Sequence, residues 1–298
     1  MTIRYAIYLP LFTPFGHPRV IADLAREAEE AGWDGVFVWD DVAGWDLDMA
    51  DPTVALAAAA LATQRVRLGA LITPLARRRP WKFARESASL DRLSNGRLVV
   101  GAGVGGGQEQ FGDLGDEPDQ RKRGAMLDEA LAVITGLWRG ESFAFEGEHY
   151  HLKPTVFRPR PVQQPRIPIW IAGTWPHKRP LRRMARWDGM FPLFWEVDDP
   201  QEQQAHLRAT VAEVQAMRAA QAEQAEEEVP APQPFEVVVS GETAVDQPQQ
   251  AADSIGGFAA AGATWWLESL NPQRENGEQW SFAQIRERVL VGPLGGKL

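Results

Sequence analysis

Short apolar segments alternate along the chain with longer segments whose apolar positions recur at helical spacing. The short segments are rich in β-branched and aliphatic residues and predict eight β-strands, at residues 3–9, 35–39, 67–72, 97–100, 167–172, 190–194, 235–239 and 264–270. The clearest helix is predicted over residues 121–138, where Leu127 and Leu131 share one face. Further helices are predicted at residues 20–31, from residue 52 onward, and at 80–93, 179–187, 200–228, 249–261 and 282–290.

Eight strands, each followed by a helix, predict an α/β fold of the (β/α)8 TIM-barrel type rather than a doubly wound sheet. The alternation is interrupted after the fourth helix, where residues 140–168 predict an inserted hairpin and an extended, proline-rich loop. We therefore predict a single domain over residues 1–298, with the insertion at about 140–168. In such a barrel, chemistry is expected at the carboxyl ends of the strands.

Composition excludes several classes of function. The chain has 31 basic and 40 acidic residues, a net charge of −9, which gives no general attraction to nucleic acid or to anionic membranes. It has no cysteine, so disulfides, thiolate catalysis and cysteine metal sites are excluded, and no metal site is predicted. Neither a signal peptide nor an apolar segment long enough to span a bilayer is evident, and a cytoplasmic location is expected.

Carboxylates follow two of the predicted strands. Asp40 and Asp41 come directly after the second strand, where one carboxyl could raise the pKa of the other and serve in acid–base chemistry. The alternative is that Asp40 caps loop amides while Asp41 faces water. Glu268 ends the last strand, and a structural salt bridge is its simplest interpretation.

Two further strand ends favour a phosphate or a flat cofactor. Residues 101–107 contain Gly-x-Gly-x-x-Gly but lack the immediately following helix of a dinucleotide fold, so a glycine-rich barrel loop fits better, with a flexible surface loop as the alternative. Gly173 and Thr174 precede a helix rich in cations, which favours either a phosphate site or a capped helix with a solvated basic face.

Tryptophan is unusually frequent, with 12 residues against 3 tyrosines. Four fall at or just beyond predicted strand ends and could line a pocket: Trp39, Trp45, Trp175 and Trp195. Five lie on or beside helices and are interpreted as packing residues: Trp33, Trp81, Trp138, Trp187 and Trp280. Three lie within strands and could do either: Trp170, Trp265 and Trp266.

Several segments, in order, resemble the luciferase-like monooxygenase family of flavin- and deazaflavin-dependent oxidoreductases. The most specific are Leu-Gly-Ala-Leu-Ile-Thr-Pro at residues 68–74 and Ser-Ala-Ser-Leu-Asp-Arg-Leu-Ser-Asn-Gly-Arg at 87–97. Ile-Trp-Ile-Ala-Gly at 169–173 and Ala-Arg-Trp-Asp-Gly at 185–189 follow the same pattern. The resemblance covers most of the chain.

The resemblance implies a TIM barrel with one insertion, a cofactor that is FMN or coenzyme F420, a small organic substrate and, by analogy, a homodimer. Ala70 and Leu71 match the family's bulge, often with a non-prolyl cis peptide, that backs the central ring of the cofactor. Gly173 and Thr174 match its phosphate loop. The cofactor-binding positions implied in this way are Ala70, Leu71, Thr73, Val104, Gly105, Gly173, Thr174 and Trp175.

The chain departs from the family at the second strand end. Many members have Asp-His there, whereas this chain has Asp40-Asp41 and so lacks the imidazole. Trp45 matches a sugar-phosphate dehydrogenase branch, but Gly106 replaces the glutamate that the branch has after its fourth strand. The remaining catalytic candidates are Asp41, Trp45 and Glu109.

The sequence thus predicts an oxidoreductase that transfers a hydride or, with FMN and oxygen, acts as a monooxygenase. One alternative is a non-redox TIM-barrel hydrolase that uses Asp40, Asp41 and Glu268, and another is a cofactor-free binding protein. The basic run at residues 77–79 with Lys82 could receive the acidic tail of the deazaflavin, or it could be a solvated loop.

Overall fold

The computed structural model describes residues 3–43, 46–107, 109–194, 197–224, 234–244, 247–274, 277 and 279–293. Eight strands form a closed barrel in the hydrogen-bonded order β1-β10-β9-β8-β7-β4-β3-β2, which confirms the predicted (β/α)8 fold. The strands are β1 (Arg4–Leu9), β2 (Gly35–Val38), β3 (Arg67–Pro74), β4 (Leu98–Gly103), β7 (Ile169–Thr174), β8 (Gly189–Leu193), β9 (Glu236–Gly241) and β10 (Trp265–Ser269).

The predicted insertion is an antiparallel hairpin of β5 (Ser142–Glu146) and β6 (His151–Val156). Glu129, on the preceding helix, holds its turn by accepting hydrogen bonds from the backbone N–H groups of three successive residues, 148–150, at 2.8–3.0 Å. The hairpin is therefore anchored to the helix that leads into it.

Several helices begin at residues whose side chains cap the first turn. Asp51 accepts a hydrogen bond from the Val54 N–H at the start of one helix, and Ser281 forms a capping box with Gln284 at another. The helices of the described residues are α1 (Pro18–Glu30), α2 (Pro52–Ala62), α3 (Pro80–Leu93), α4 (Gln120–Trp138), α5 (Lys178–Met184), α6 (Pro200–Glu223), α7 (Pro248–Ala260) and α8 (Phe282–Val291).

Helix α6 ends at Glu223, earlier than the predicted end at 228. Its last residues, 219–224, are all exposed. Residues 225–233 lie outside the described part of the chain.

The chain forms two compact units. Unit 1 consists of Met1–Leu9, Glu27–Phe37 and Pro168–Leu298, and unit 2 of Pro10–Arg26 and Val38–Ile167. The single domain expected from the sequence stays a prediction.

An aromatic cluster lies in the core of unit 1. The rings of Phe37, Trp170 and Trp265 lie with their centroids 5.4–5.8 Å apart, and all three residues are buried. Trp266 instead packs on Phe258 of α7, 5.6 Å between centroids. The tryptophans within strands are therefore core residues.

Among the described residues, no helix combines the length and the apolar character needed to cross a membrane.

Candidate active site

A buried ion-pair cluster lies beyond the carboxyl end of β2. The Asp40 carboxylate accepts hydrogen bonds from Arg77 at 2.9 Å and from Arg78 at 2.8 Å, and its side chain is 1% exposed. The expectation that Asp40 caps loop amides is wrong, because two guanidinium groups occupy its oxygens.

The same cluster corrects the interpretation of the basic run. Arg77 and Arg78 follow β3, are largely buried and face Asp40, so neither is a solvated cation or a receiver for an acidic tail. Lys82 pairs with Glu86 on the surface of α3. Lys82 and Arg79, which is exposed beside the ring of Trp81, fit the expectation of solvated cations.

Asp41 lies next to this cluster and is partly buried, so it does not simply face water. Burial raises the pKa of its carboxyl; Arg77 lowers the pKa, and Asp40 and Glu109 raise it again, with a net rise above the ordinary value. A carboxyl that keeps its proton to higher pH suits general acid–base chemistry.

Glu109 and Gln110 bring the loop after β4 against the loop after β2. Glu109 is exposed and acts electrostatically on Asp41. Gln110 is buried: its Oε1 accepts from the Val42 N–H at 3.0 Å, and its Nε2 donates to the carbonyl of Ala43. Two of the three predicted catalytic residues, Asp41 and Glu109, are thus brought together.

The glycine-rich loop is shaped by Arg123, which is buried at the start of α4. Its guanidinium donates to the carbonyls of Val104 at 3.1 Å and Gly105 at 3.4 Å, and it stacks on the ring of Phe111 at 3.9 Å. Burial lowers the pKa of Arg123, whereas the nearby acids Glu117 and Asp119 raise it.

This contact fixes which way the loop amides point. In a trans peptide the N–H is directed opposite to the C=O, so the N–H groups of Gly105 and Gly106 point away from Arg123. Neither N–H donates a hydrogen bond to another group in the described part of the chain. Gly105 has φ +70°, and a Cβ there would lie 2.7 Å from Phe111, so only glycine fits. The first part of the loop is therefore held by contacts with Arg123 and Phe111.

Strand β3 has the bulge expected at Ala70 and Leu71. Its pairing with β4 changes register between Ala70 and Thr73, and the peptide between Leu71 and Ile72 is cis, one bond beyond the matched pair. Gly101 of β4 permits the bulge, since a Cβ there would lie 2.4 Å from the Ala70 carbonyl oxygen. A cavity of about 30 Å3 adjoins the bulge; its lining includes Ala70, Gly101 and Asp40.

The carboxyl end of β7, in unit 1, carries the other predicted cofactor positions. Gly173 is required because a Cβ would lie 2.3 Å from Pro180 of α5. Thr174 is partly buried, and the ring of Trp175 stacks on the imidazole of His206 with centroids 3.9 Å apart. One face of the Trp175 ring is thus covered by His206 of α6.

The four cations of α5 lie in different environments. Lys178 pairs with Glu213 and Arg183 is buried, whereas Arg179 and Arg182 are exposed. Helix α5 also lacks a capping side chain at His177. Of the expected capped helix with a solvated basic face, the structure shows exposed cations at Arg179 and Arg182 but no capping side chain.

Glu268 has the structural role expected of it. Its buried carboxylate accepts from the N–H and hydroxyl of Thr243 and from the indole of Trp266, and lies 3.3 Å from Arg288 of α8. A carboxylate so fully engaged is not free to act as the acid or base of a hydrolase.

The sequence assigned no role to Gln110 and Arg123, and it predicted a different role for Arg77, as part of the basic run. The signal available in the sequence was a run of three arginines after the third strand and a pair of aspartates directly after the second strand, in an acidic chain. Trp45 and Trp195 lie outside the described residues, so the structure places neither.

Comparison with known proteins supports the family resemblance. The family model described as luciferase-like monooxygenase matches residues 11–288. An F420-dependent glucose-6-phosphate dehydrogenase of Nakamurella multipartita is 37% identical over 164 residues, which is 53% of this chain and 48% of that protein. The match thus spans about half the length of this curated relative.

Solved structures share the fold. The monooxygenase RslO1 of Streptomyces bottropensis superposes with a TM-score of 0.72 at 21% identity, over 97% of each chain. The oxygenating constituent of 3,6-diketocamphane monooxygenase of Pseudomonas putida, solved with FMN, gives a TM-score of 0.63 at 16% identity, over 85% of this chain and 72% of that one.

Proposed function

Because this chain belongs to the luciferase-like monooxygenase family, we propose that it is a flavin- or deazaflavin-dependent oxidoreductase that acts on a small organic substrate. The observation that carries the proposal concerns the glycine loop after β4. The N–H groups of Gly105 and Gly106 point away from Arg123 and have no hydrogen-bond partner among the described residues. Successive free N–H groups of this kind bind anions such as the phosphate of a cofactor.

The loop also leaves room for a bound group. Among the described residues, none comes within 4 Å of a Cβ built on Gly106, so in this part of the chain the space beside the unpartnered N–H groups is open. Val104 and Gly105 would hold the phosphate, and the bulge at Ala70, Leu71 and Thr73 would support the ring. Gly173, Thr174 and Trp175 are proposed as further cofactor contacts on the resemblance.

The cofactor, when bound, would accept or donate the hydride, and the protein would supply orientation and a proton. Asp41 is the group proposed to exchange that proton at its carboxyl oxygen. Its raised pKa keeps the proton available at higher pH than for an ordinary aspartate. Glu109 is proposed to tune this group through its charge, and Trp45 stays a candidate that the structure does not test.

The proposal includes both FMN and F420 as candidate cofactors. The name of the 37% identical relative specifies F420, and the Pseudomonas putida structure contains FMN. The free N–H groups fit the phosphate of either one.

The hydrolase alternative loses two of its three carboxylates. Asp40 is bound by Arg77 and Arg78, and Glu268 by Thr243 and Arg288.

A homodimer formed through α2 is also proposed. This helix is apolar on almost every side, and its exposed face carries Val54 and Leu61, which are 54% and 70% exposed, with Ala57 and Ala58 between them. Small residues between two large ones permit close helix packing, and an aliphatic face of this kind is typical of an interface.

The melting temperature tests the proposed function. A bound cofactor raises the melting temperature to an extent that grows with its affinity. We expect FMN, reduced FMN or F420 to raise it, and the one that does so identifies the cofactor. No change with any of the three, each added at millimolar concentration, would contradict the proposal.

A further inference from the structure

We propose that Gln110 is a positioning residue for Asp41: its side-chain amide holds the loop after β2 and so keeps the Asp41 carboxyl where Arg77 and Glu109 act on it electrostatically. The catalytic meaning of this role rests on the proposed function, but the hydrogen-bonded clip between this amide and the loop does not.

The clip consists of three hydrogen bonds from one buried amide. Oε1 accepts from the Val42 N–H at 3.0 Å and from Nη1 of Arg77 at 3.2 Å, while Nε2 donates to the carbonyl of Ala43. Gln110 therefore uses its acceptor twice and its donor once, and two of the three bonds hold the backbone that directly follows Asp41.

The residue before Asp41 is held from the opposite side. Nη2 of Arg77 donates both to the carbonyl of Asp40, at 2.5 Å, and to its carboxylate, at 2.9 Å. Because Arg77 also binds Gln110, the backbone on both sides of Asp41 is tied to one hydrogen-bonded pair. Asp41 itself has none of these bonds, so its carboxyl is positioned but stays available for chemistry.

The charged groups that face Asp41 follow from this arrangement. Arg77 lowers the pKa of its carboxyl, and Asp40 and Glu109 raise it, in addition to the larger effect of burial. Gln110 is adjacent to Glu109 in the chain and bonded to Arg77, so a change in Gln110 alters the environment of Asp41 through both.

The test is an NMR titration of protein carrying 13C-labelled aspartate carboxyls, which needs neither cofactor nor substrate. Asp41→Asn identifies the signal. We expect Gln110→Ala to lower the midpoint of Asp41 by about half a pH unit or more, because the released loop admits water. Gln110→Glu should raise it, because a second carboxylate then lies nearby and competes for Arg77.

Gln163→Ala is the matched control. Gln163 also accepts from an arginine, Arg67 at 3.0 Å, and donates at 2.7 Å to Asp91 and to Leu98, but it holds a different loop. It should leave the Asp41 midpoint unchanged. The proposal is overturned if neither Gln110 variant moves the midpoint, or if Gln163→Ala moves it equally. If Gln110→Ala does not fold, the proposal is tested by Gln110→Glu alone, in which the Asp41 titration midpoint should rise.

Discussion

Arg77 and Asp40 form an ion pair with 2.9 Å between Nη2 and Oδ1, and their side chains are only 6% and 1% exposed. The pair joins the segments that follow β2 and β3, two strands that are separated in the chain by helix α2. The same carboxylate also binds Arg78, so it neutralises one of two buried cations.

Asp40→Asn should therefore strongly destabilise the protein. It leaves two buried guanidinium groups without their counter-ion, which costs about 3–5 kcal/mol of unfolding free energy in comparable sites. Urea denaturation measures the change. Glu86→Gln, which breaks the surface pair with Lys82, should cost less than about 1 kcal/mol; equal losses for both variants would refute this prediction.

Glu129 gives a prediction that depends on pH. Burial raises the pKa of its carboxyl, but hydrogen bonds from the N–H groups of His149, Glu148 and Tyr150, with the charge of His149, lower it more. A lowered folded pKa means that the stabilisation is present above the unfolded value of about 4.3 and is lost as the pH falls through the folded pKa.

Glu129→Gln should accordingly cost about 1–2 kcal/mol at pH 7, from weaker hydrogen bonds to the hairpin turn. The difference from the wild type should disappear in acid. Urea denaturation at neutral pH and at steps below about pH 4 checks this. Glu141→Gln, at an exposed glutamate beside the same hairpin, should have no effect; a difference for Glu129→Gln that persists in acid would be inconsistent with a lowered pKa.

Glu268 should matter for stability and not for cofactor binding. Glu268→Gln leaves Arg288 buried without its charge partner and should cost about 3–5 kcal/mol of unfolding free energy. Adding Arg288→Met should restore part of that loss. If Glu268→Gln instead folds with wild-type stability in urea, the carboxylate does not have this structural role.

Leu61→Lys should produce a monomer if α2 forms the dimer interface. A lysine in place of one of the two large residues of this aliphatic face would be buried in the interface without a partner. Sedimentation velocity distinguishes the two states. Leu290→Lys, at a leucine of α8 that is 54% exposed, is the control and should leave the dimer intact. A wild-type monomer, or an unchanged dimer in Leu61→Lys, would disprove this interface.

The elements of the fold are predictable because their signals are local. Strand β3 is predicted at 67–72 and runs over Arg67–Pro74, and the additional residues follow the bulge at Ala70, which periodicity does not reveal. Helix α4 is predicted at 121–138 and begins one residue earlier, after the Asp119 cap. Period and capping residues are properties of neighbouring positions, so they can be read from the chain.

The site is less predictable because its contacts join distant positions. Asp40 and Arg77 are separated by 37 residues, and Gln110 by 68 residues from Val42. Nothing in the local sequence distinguishes a cation that pairs inside the fold from one that is solvated. Family resemblance supplied Ala70, Leu71 and Gly105, but it assigned no role to Gln110 or Arg123.

The most direct test of the cofactor site is a fluorescence titration of the wild type and of Gly106→Leu with FMN, reduced FMN and F420. No described residue lies within 4 Å of a Cβ built on Gly106, so the variant should fold normally while its leucine side chain fills the space proposed for the cofactor. Gly256→Leu, at an equally open glycine of α7, is the control. We predict that one cofactor binds the wild type and Gly256→Leu equally and binds Gly106→Leu at least about tenfold more weakly. No binding of any of the three cofactors to the wild type, or equal affinity in all three proteins, would contradict the proposed site.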